Sequence, residues 1–204
     1  MKPHAHLSKK QKPQKDLDPL NTESIETEEM PITPQMEEYF RAFLQKHIDL
    51  VEGNARMLME LGQITPELYE YIRYTHDRSK LEEPEYTPYI KRKWLERDGK
   101  GEKYREMGDD VKQAIVHHVT TNAHHPECWS DDYEGFETDQ PCHIEAMPEY
   151  CVVEMVCDWE AMGRQMGNTA RSWYEKCRNK RWFFDPATEA LIEKWLNVFE
   201  NMGV

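Results

Sequence analysis

From residue 34 onward the apolar positions of this chain recur at intervals of three and four, the repeat of helices with one face turned inward. Four of these runs are preceded by a side-chain oxygen and a proline: Thr33-Pro34, Thr65-Pro66, Thr87-Pro88 and Asp185-Pro186. The oxygen can accept from a free N–H of the first turn, and proline costs nothing there because those N–H groups have no helical partner. Further helical patterns cover residues 109–120, 147–165 and 169–181. No stretch alternates with period two between turn residues, so the expected fold class is all-α.

Residues 1–33 are rich in Lys, Glu, Pro, Ser and Thr and hold almost nothing to bury, which predicts a disordered tail. Residues 34–204 then form a single domain, since 204 residues at 38% hydrophobic content suffice for one sizeable core. Residues 128–146, CWSDDYEGFETDQPCHIEA, are acidic, aromatic and irregular, and a compact domain keeps so long a loop for a lid or a binding role.

Three predicted helices each carry a histidine on their apolar side. His47 lies in the stripe of Phe40, Phe43, Leu44, Ile48 and Val51; His76 continues the line Leu68, Ile72; His118 shares its face with Val111, Ala114 and Ile115, while His117 points about 100° away. A single buried histidine needs no metal, because one carbonyl and one hydroxyl satisfy it. Here, however, seven of the nine histidines fall between positions 47 and 143, four of them in HHVTTNAHHPE (117–127). Several imidazoles sharing one interior are poorly solvated when charged and short of donors when neutral, unless a cation accepts their lone pairs.

Charge narrows the ligand class. The chain carries −13, and its first fifteen residues carry five lysines and no acid, which leaves −18 on the remainder. So acidic a body repels a nucleic acid duplex, although a local basic patch can hold a small anion. The basic stretch Arg164, Arg171, Lys176, Arg178, Lys180 and Arg181 is either such a patch or a solvated helix face. No run approaches the 18 apolar residues of a membrane span, and the N-terminus has neither the apolar stretch of a secretory signal nor the arginines of a mitochondrial presequence, so the expected location is cytoplasmic. Five cysteines, an odd number spread over the second half, read as reduced thiols. Cys128, Cys142 and His143 with His125 form a weaker alternative, a small zinc site across the 128–146 loop. Trp173, Trp182 and Trp195 are expected to pack the last helices onto the core.

The order of these residues, an inward histidine, a His-Asp doublet, further histidines and a late aspartate, resembles the H…HD…H…H…D pattern of the HD-domain metal-dependent phosphohydrolases. HDRSK (76–80) is similar to their HD-x-G-K signature, with Ser79 where glycine is commoner; HHVTTNAHHPECW is similar to the histidine-rich segment of their two-metal members, and EMVCDWEAMGRQMGNTARSWYEK resembles the late helix of an uncharacterised bacterial and phage branch. The similarity runs from about residue 38 to 182, and no Gly-Tyr-Pro follows the paired histidines, which sets the chain apart from the cyclic-dinucleotide phosphodiesterase subtype.

The resemblance implies an HD-domain-like helical bundle. It also implies that His47, His76, Asp77 and Asp158 are the primary metal ligands, with Asp77 bridging to a second ion held by His118 and by His124 or His125. Asp158 enters through the resemblance alone, since it lies about 110° from the centre of its helix's apolar stripe. Glu154, one turn earlier, is placed to orient a ligand.

Such a donor set implies one or two divalent transition ions, Mn, Fe, Co or Zn. The implied activity is hydrolysis of a nucleotide or other small phosphate ester by a metal-activated water. Asp77 and Lys80 are then the catalytic pair, with Lys80 one turn beyond His76 if the helix persists and neutralising phosphoryl oxygens; as a bland alternative, Lys80 is a solvated lysine at a helix end. Two other functions fit the same ligands: a di-iron oxygenase, and a non-enzymatic protein with a structural ion.

Overall fold

The computed structural model describes residues 27, 29–99, 107–135 and 140–202. Seven helices dominate it: α1 (Pro34–Glu60), α2 (Pro66–Thr75), α3 (Tyr86–Arg97), α4 (Asp109–Thr121), α5 (Glu149–Met166), α6 (Ala170–Cys177) and α7 (Pro186–Asn201). Most of the expected starts are in place. Thr33 and Thr65 accept from the N–H groups of Met36 and Leu68, and the Asp185 carboxylate accepts from that of Ala187. The expected start at Thr87-Pro88 is not: α3 already begins at Tyr86, because the Glu82 carbonyl takes the N–H groups of both Glu85 and Tyr86. Pro88 is then the third helical residue, still within the turn whose N–H groups lack partners.

Two short strands correct the expectation of helices alone. β1 (Cys142–Ile144) and β2 (Trp182–Phe184) pair in parallel with Cys142 opposite Trp182. Each has three residues, too few for an alternating pattern to register in the sequence. They tie the 128–146 loop to the turn before α7, where the Asp185 N–H donates to the Ile144 carbonyl over 2.8 Å. The 169–181 helix accordingly stops at Cys177.

α5 is the axis of the fold, packed against α1, α6 and α7. Its buried residues include Cys151 to Cys157 without a break, then Trp159, Glu160, Ala161 and Gly163. A helix buried all round has no solvated face, and this is why its apolar stripe misjudged Asp158. α1 is held in register with it by buried Asn54, whose side-chain amide donates to the Cys157 carbonyl over 2.8 Å.

The core has two parts. One gathers α2, α5, α6 and α7 around Val51, Ala55 and Leu58 of α1. The other joins the first half of α1 to α3 and α4 through Phe40, Leu44, Ile48, Tyr89 and Ile90. His47 sits on α1 where the two parts meet. Trp182 and Trp195 are buried and Trp173 packs beside them, in the role expected of them.

The predicted disorder of residues 1–33 falls largely outside the described residues. The end of that segment is packed: the Thr27 hydroxyl is buried and donates to Asp110, and Met30 and Ile32 lie against the second part of the core. Among the described residues no helix is long and apolar enough to cross a membrane, and all five cysteines are free thiols.

Candidate metal centre

Four segments bring the candidate donors together, each by its own local device. α1 supplies His47 from its inward stripe. α2 ends at Thr75, with His76 capping it through an N–H to the Ile72 carbonyl. The helix does not persist to Lys80. Asp77 takes a left-handed conformation at φ 57°, uncommon for a residue with a side chain though tolerated by aspartate. The chain then turns through a 3-10 segment, Arg78–Leu81, that returns Lys80 to Asp77. α4 supplies His118; Asn122 then leaves the helix, its amide donating to the His118 carbonyl over 2.8 Å, and the turn aims His124 and His125 back inward. α5 supplies Glu154 and Asp158.

Two sets of atoms meet at Asp77. On one side His47 Nε2 lies 3.0 Å from Asp158 Oδ1, 3.5 Å from Asp77 Oδ2 and 3.3 Å from His76 Nε2. On the other, Asp77 Oδ1 is 3.2 Å from His118 Nε2 and 3.8 Å from His124 Nε2. Ligand atoms of His118, His124 and His125 lie within 4.8 Å of one another, as do those of His47, His76 and Asp77. Donors about 2.1 Å from a shared ion stand roughly 3 to 3.5 Å apart; the spacings around His47 match this, and the second set is somewhat wider.

The protonation pattern strengthens the fit. A carboxylate only accepts, so an imidazole nitrogen hydrogen-bonded to one carries the proton. Glu154 Oε1 accepts from Nδ1 of His76 at 3.0 Å and of His124 at 3.2 Å, and Glu85 Oε2 accepts from Nδ1 of His118 at 2.8 Å. In the neutral rings the opposite nitrogens are therefore bare lone pairs. Asp77 Oδ1 and Nε2 of His118, His124 and His125 are all buried without a hydrogen-bond partner among the described residues. Lone pairs facing lone pairs in a buried space repel unless a cation stands between them. These buried clusters of His, Asp and Glu are able to hold metal ions.

Above the donors opens a cavity of about 280 Å³. Phe40, Phe43, Leu44, Ile115 and Met162 make its apolar walls, and Lys80, Arg92, Lys93 and Arg181 add positive charge.

Residues 36–198 match the Family of unknown function (DUF5662). The chain belongs to that family. No curated protein and no solved structure matches it significantly.

Electrostatics at the centre follow from burial and proximity. Burial acts against the charge of Lys80, but Asp77 at 2.7 Å outweighs it and the ammonium titrates above its usual range. Burial, with the neighbouring His124 and His118, holds His125 well below the usual imidazole value, so it stays neutral and its lone pair is available. Lys93 is pushed down to about 8 by burial and by Arg92.

For Glu154, burial acts upward, but the hydrogen bonds from His124 and His76 prevail and bring the carboxyl from 4.5 to about 2. A depressed acid contributes stability above its unfolded pKa and loses it as the pH falls towards the folded one. At about 1.4 kcal/mol per pH unit, the chelated protein is expected to lose on the order of 3 kcal/mol through Glu154 between pH 4.5 and 2. Urea melts at pH 6 and pH 2 measure this; a Glu154→Gln protein that loses as much stability as the parent would refute the assignment.

All the predicted site residues meet here: His47, His76, Asp77, Lys80, His118, His124, His125 and Asp158, with both His124 and His125 facing inward. The zinc alternative does not form. Cys142 is buried in β1, His143 is exposed and paired with Asp132, and His125 belongs to the histidine group. Most of the basic stretch is engaged by carboxylates, Arg171 by Glu193 and Glu200 and Arg178 by Glu189, so it is no open anion patch, although Arg181 reaches the cavity.

Sequence reasoning missed Glu85. It is fully buried, one oxygen accepting from His118 and from the Ser79 hydroxyl and the other from His117. It lies in the turn before α3, where no periodicity marks a residue as inward.

Proposed function

We propose that this chain is an HD-type, metal-dependent phosphohydrolase acting on a nucleotide or other small phosphate ester. The observation that carries the reading is a pair of donor sets meeting at Asp77 beside one cavity, which His47, Asp77, His118, His125 and Asp158 line together with a group of cationic side chains. Imidazole and carboxylate donors suit Mn, Fe, Co or Zn better than Mg or Ca. His47, His76, Asp77 and Asp158 would hold one ion; Asp77, His118, His124 and His125 a second. An ion bound there supplies a Lewis acid and lowers the pKa of water from about 15.7 towards 7.

The chain's own residues account for the rest. Glu154 and Glu85 fix the ring orientations and proton positions of three histidines. Lys80, at the cavity edge of Asp77, meets the charge of the phosphoryl oxygens. Arg92 and Lys93 share a single partner, Glu96, at 2.7 Å each, so the pair keeps a net positive charge to draw an anion into an otherwise acidic protein. Apolar walls limit water and strengthen these interactions.

Protein purified without an affinity tag is expected to contain one or two transition ions per chain and to release phosphate from nucleoside monophosphates or p-nitrophenyl phosphate, with chelation stopping the reaction and added metal restoring it. Lys80→Met is expected to lower kcat/KM by roughly 10²-fold at unchanged metal content. A folded, metal-loaded protein inert to a broad phosphoester panel would overturn the reading. Iron together with substrate-dependent oxygen uptake would replace it by the oxygenase.

A further inference from the structure

We infer that a second cavity, opening beside the metal centre, seats a nucleobase and reads its N–H edge through Glu127. The inference deepens the phosphohydrolase reading, on which it rests for the phosphate end of the substrate; its test is independent of turnover.

The second cavity, about 210 Å³, shares His125, Asp158, Met162, Trp173 and Arg181 with the first, so a molecule with its phosphate over the donors can extend into it. Its remaining walls include indoles. Trp159 and Trp182 stack with planes 10° apart, and Trp173 stands edge-on to Trp182. Flat, apolar surfaces of this kind favour a planar aromatic guest.

Glu127 supplies the polar direction. It lines this cavity and is 2% exposed. Its Oε1 accepts from Arg181 Nη2 at 2.8 Å and from Trp182 Nε1 at 3.0 Å, whereas its Oε2 is buried with no partner among the described residues. A buried carboxylate oxygen without a donor is costly, and a guest bringing an N–H removes that cost. A phenyl or alkyl group would cover the indoles and leave Oε2 bare. An aliphatic ammonium would satisfy Oε2 but match the flat aromatic walls poorly. A nucleobase with a ring N–H or an exocyclic amine does both.

The metal-loaded full chain, titrated with nucleosides and followed by tryptophan fluorescence, tests this without hydrolysis, since nucleosides carry no phosphate. Inosine or adenosine is expected to bind at least about tenfold more tightly than purine riboside, whose base has no N–H donor. Glu127→Gln is expected to abolish that preference. The amide oxygen must stay on the N–H groups of Arg181 and Trp182, which puts an NH₂ donor where Oε2 stood. Trp173→Leu is expected to weaken all three nucleosides together.

Equal binding of purine riboside by the parent protein overturns the inference, as does an undiminished preference in Glu127→Gln. If Glu127→Gln fails to fold, the parent comparison alone decides. Nucleoside discrimination without phosphoester hydrolysis sinks the hydrolase and keeps the base pocket; hydrolysis of p-nitrophenyl phosphate without discrimination does the reverse.

Discussion

Asp77→Asn is expected to leave a folded protein that binds at most one ion and releases phosphate about 10³-fold more slowly than the parent. Asparagine tolerates the left-handed conformation at φ 57° almost as well as aspartate does, so the backbone need not move and only the carboxylate is lost. Both oxygens of that carboxylate are in use. Oδ2 faces His47 at 3.5 Å, His76 at 3.8 Å and Lys80 at 2.7 Å, and Oδ1 faces His118 at 3.2 Å and His124 at 3.8 Å. An amide offers one oxygen, so it can serve one donor set and must present N–H groups to the other. Elemental analysis and phosphate release measure the outcome, with a thermal melt to verify folding. Retention of two ions and of activity within tenfold would mean that Asp77 joins nothing.

Glu154→Gln should weaken metal binding by roughly 10- to 100-fold, although Glu154 touches neither cavity's open space in the proposed chemistry. One oxygen of this buried carboxylate receives Nδ1 of both His76 and His124, one imidazole from each donor set. That shared acceptor keeps both protons on Nδ1 and both Nε2 lone pairs turned towards Asp77. A neutral amide attracts the two N–H groups less strongly, and its NH₂ has no acceptor in their place. Metal competition titrations give the affinities of the two positions. Both should fall together; a change at one position alone would show that Glu154 orients a single ring.

The same residues show which features periodicity can reveal. His47 and His118 were legible because each lies in a helix with one buried face, where the spacing of apolar neighbours gives direction. Asp158 was not, because the middle of α5 is buried all round and its apolar stripe does not single out the side that faces the donors. Lys80 reaches the site by a route that helical spacing cannot describe, a left-handed Asp77 followed by a 3-10 turn. Glu85 sits in a turn, and the two strands are three residues long, so neither offers a repeat to count.

By itself, the sequence determined the helical character, three of the capped helix starts, the inward histidines of α1 and α4 and the acidic charge, because each depends on neighbours within a few turns of chain. Only the tertiary structure decided that donors from α1, the α2 end, α4 and α5 meet around one carboxylate, that Glu85 and Glu154 hold the rings, and that Glu127, beside Trp182, keeps one oxygen without a partner among the described residues. Those relations join residues more than a hundred positions apart, and the packing of α1 against α5 through Asn54 and Cys157, 103 residues apart, is what brings such distant segments into contact.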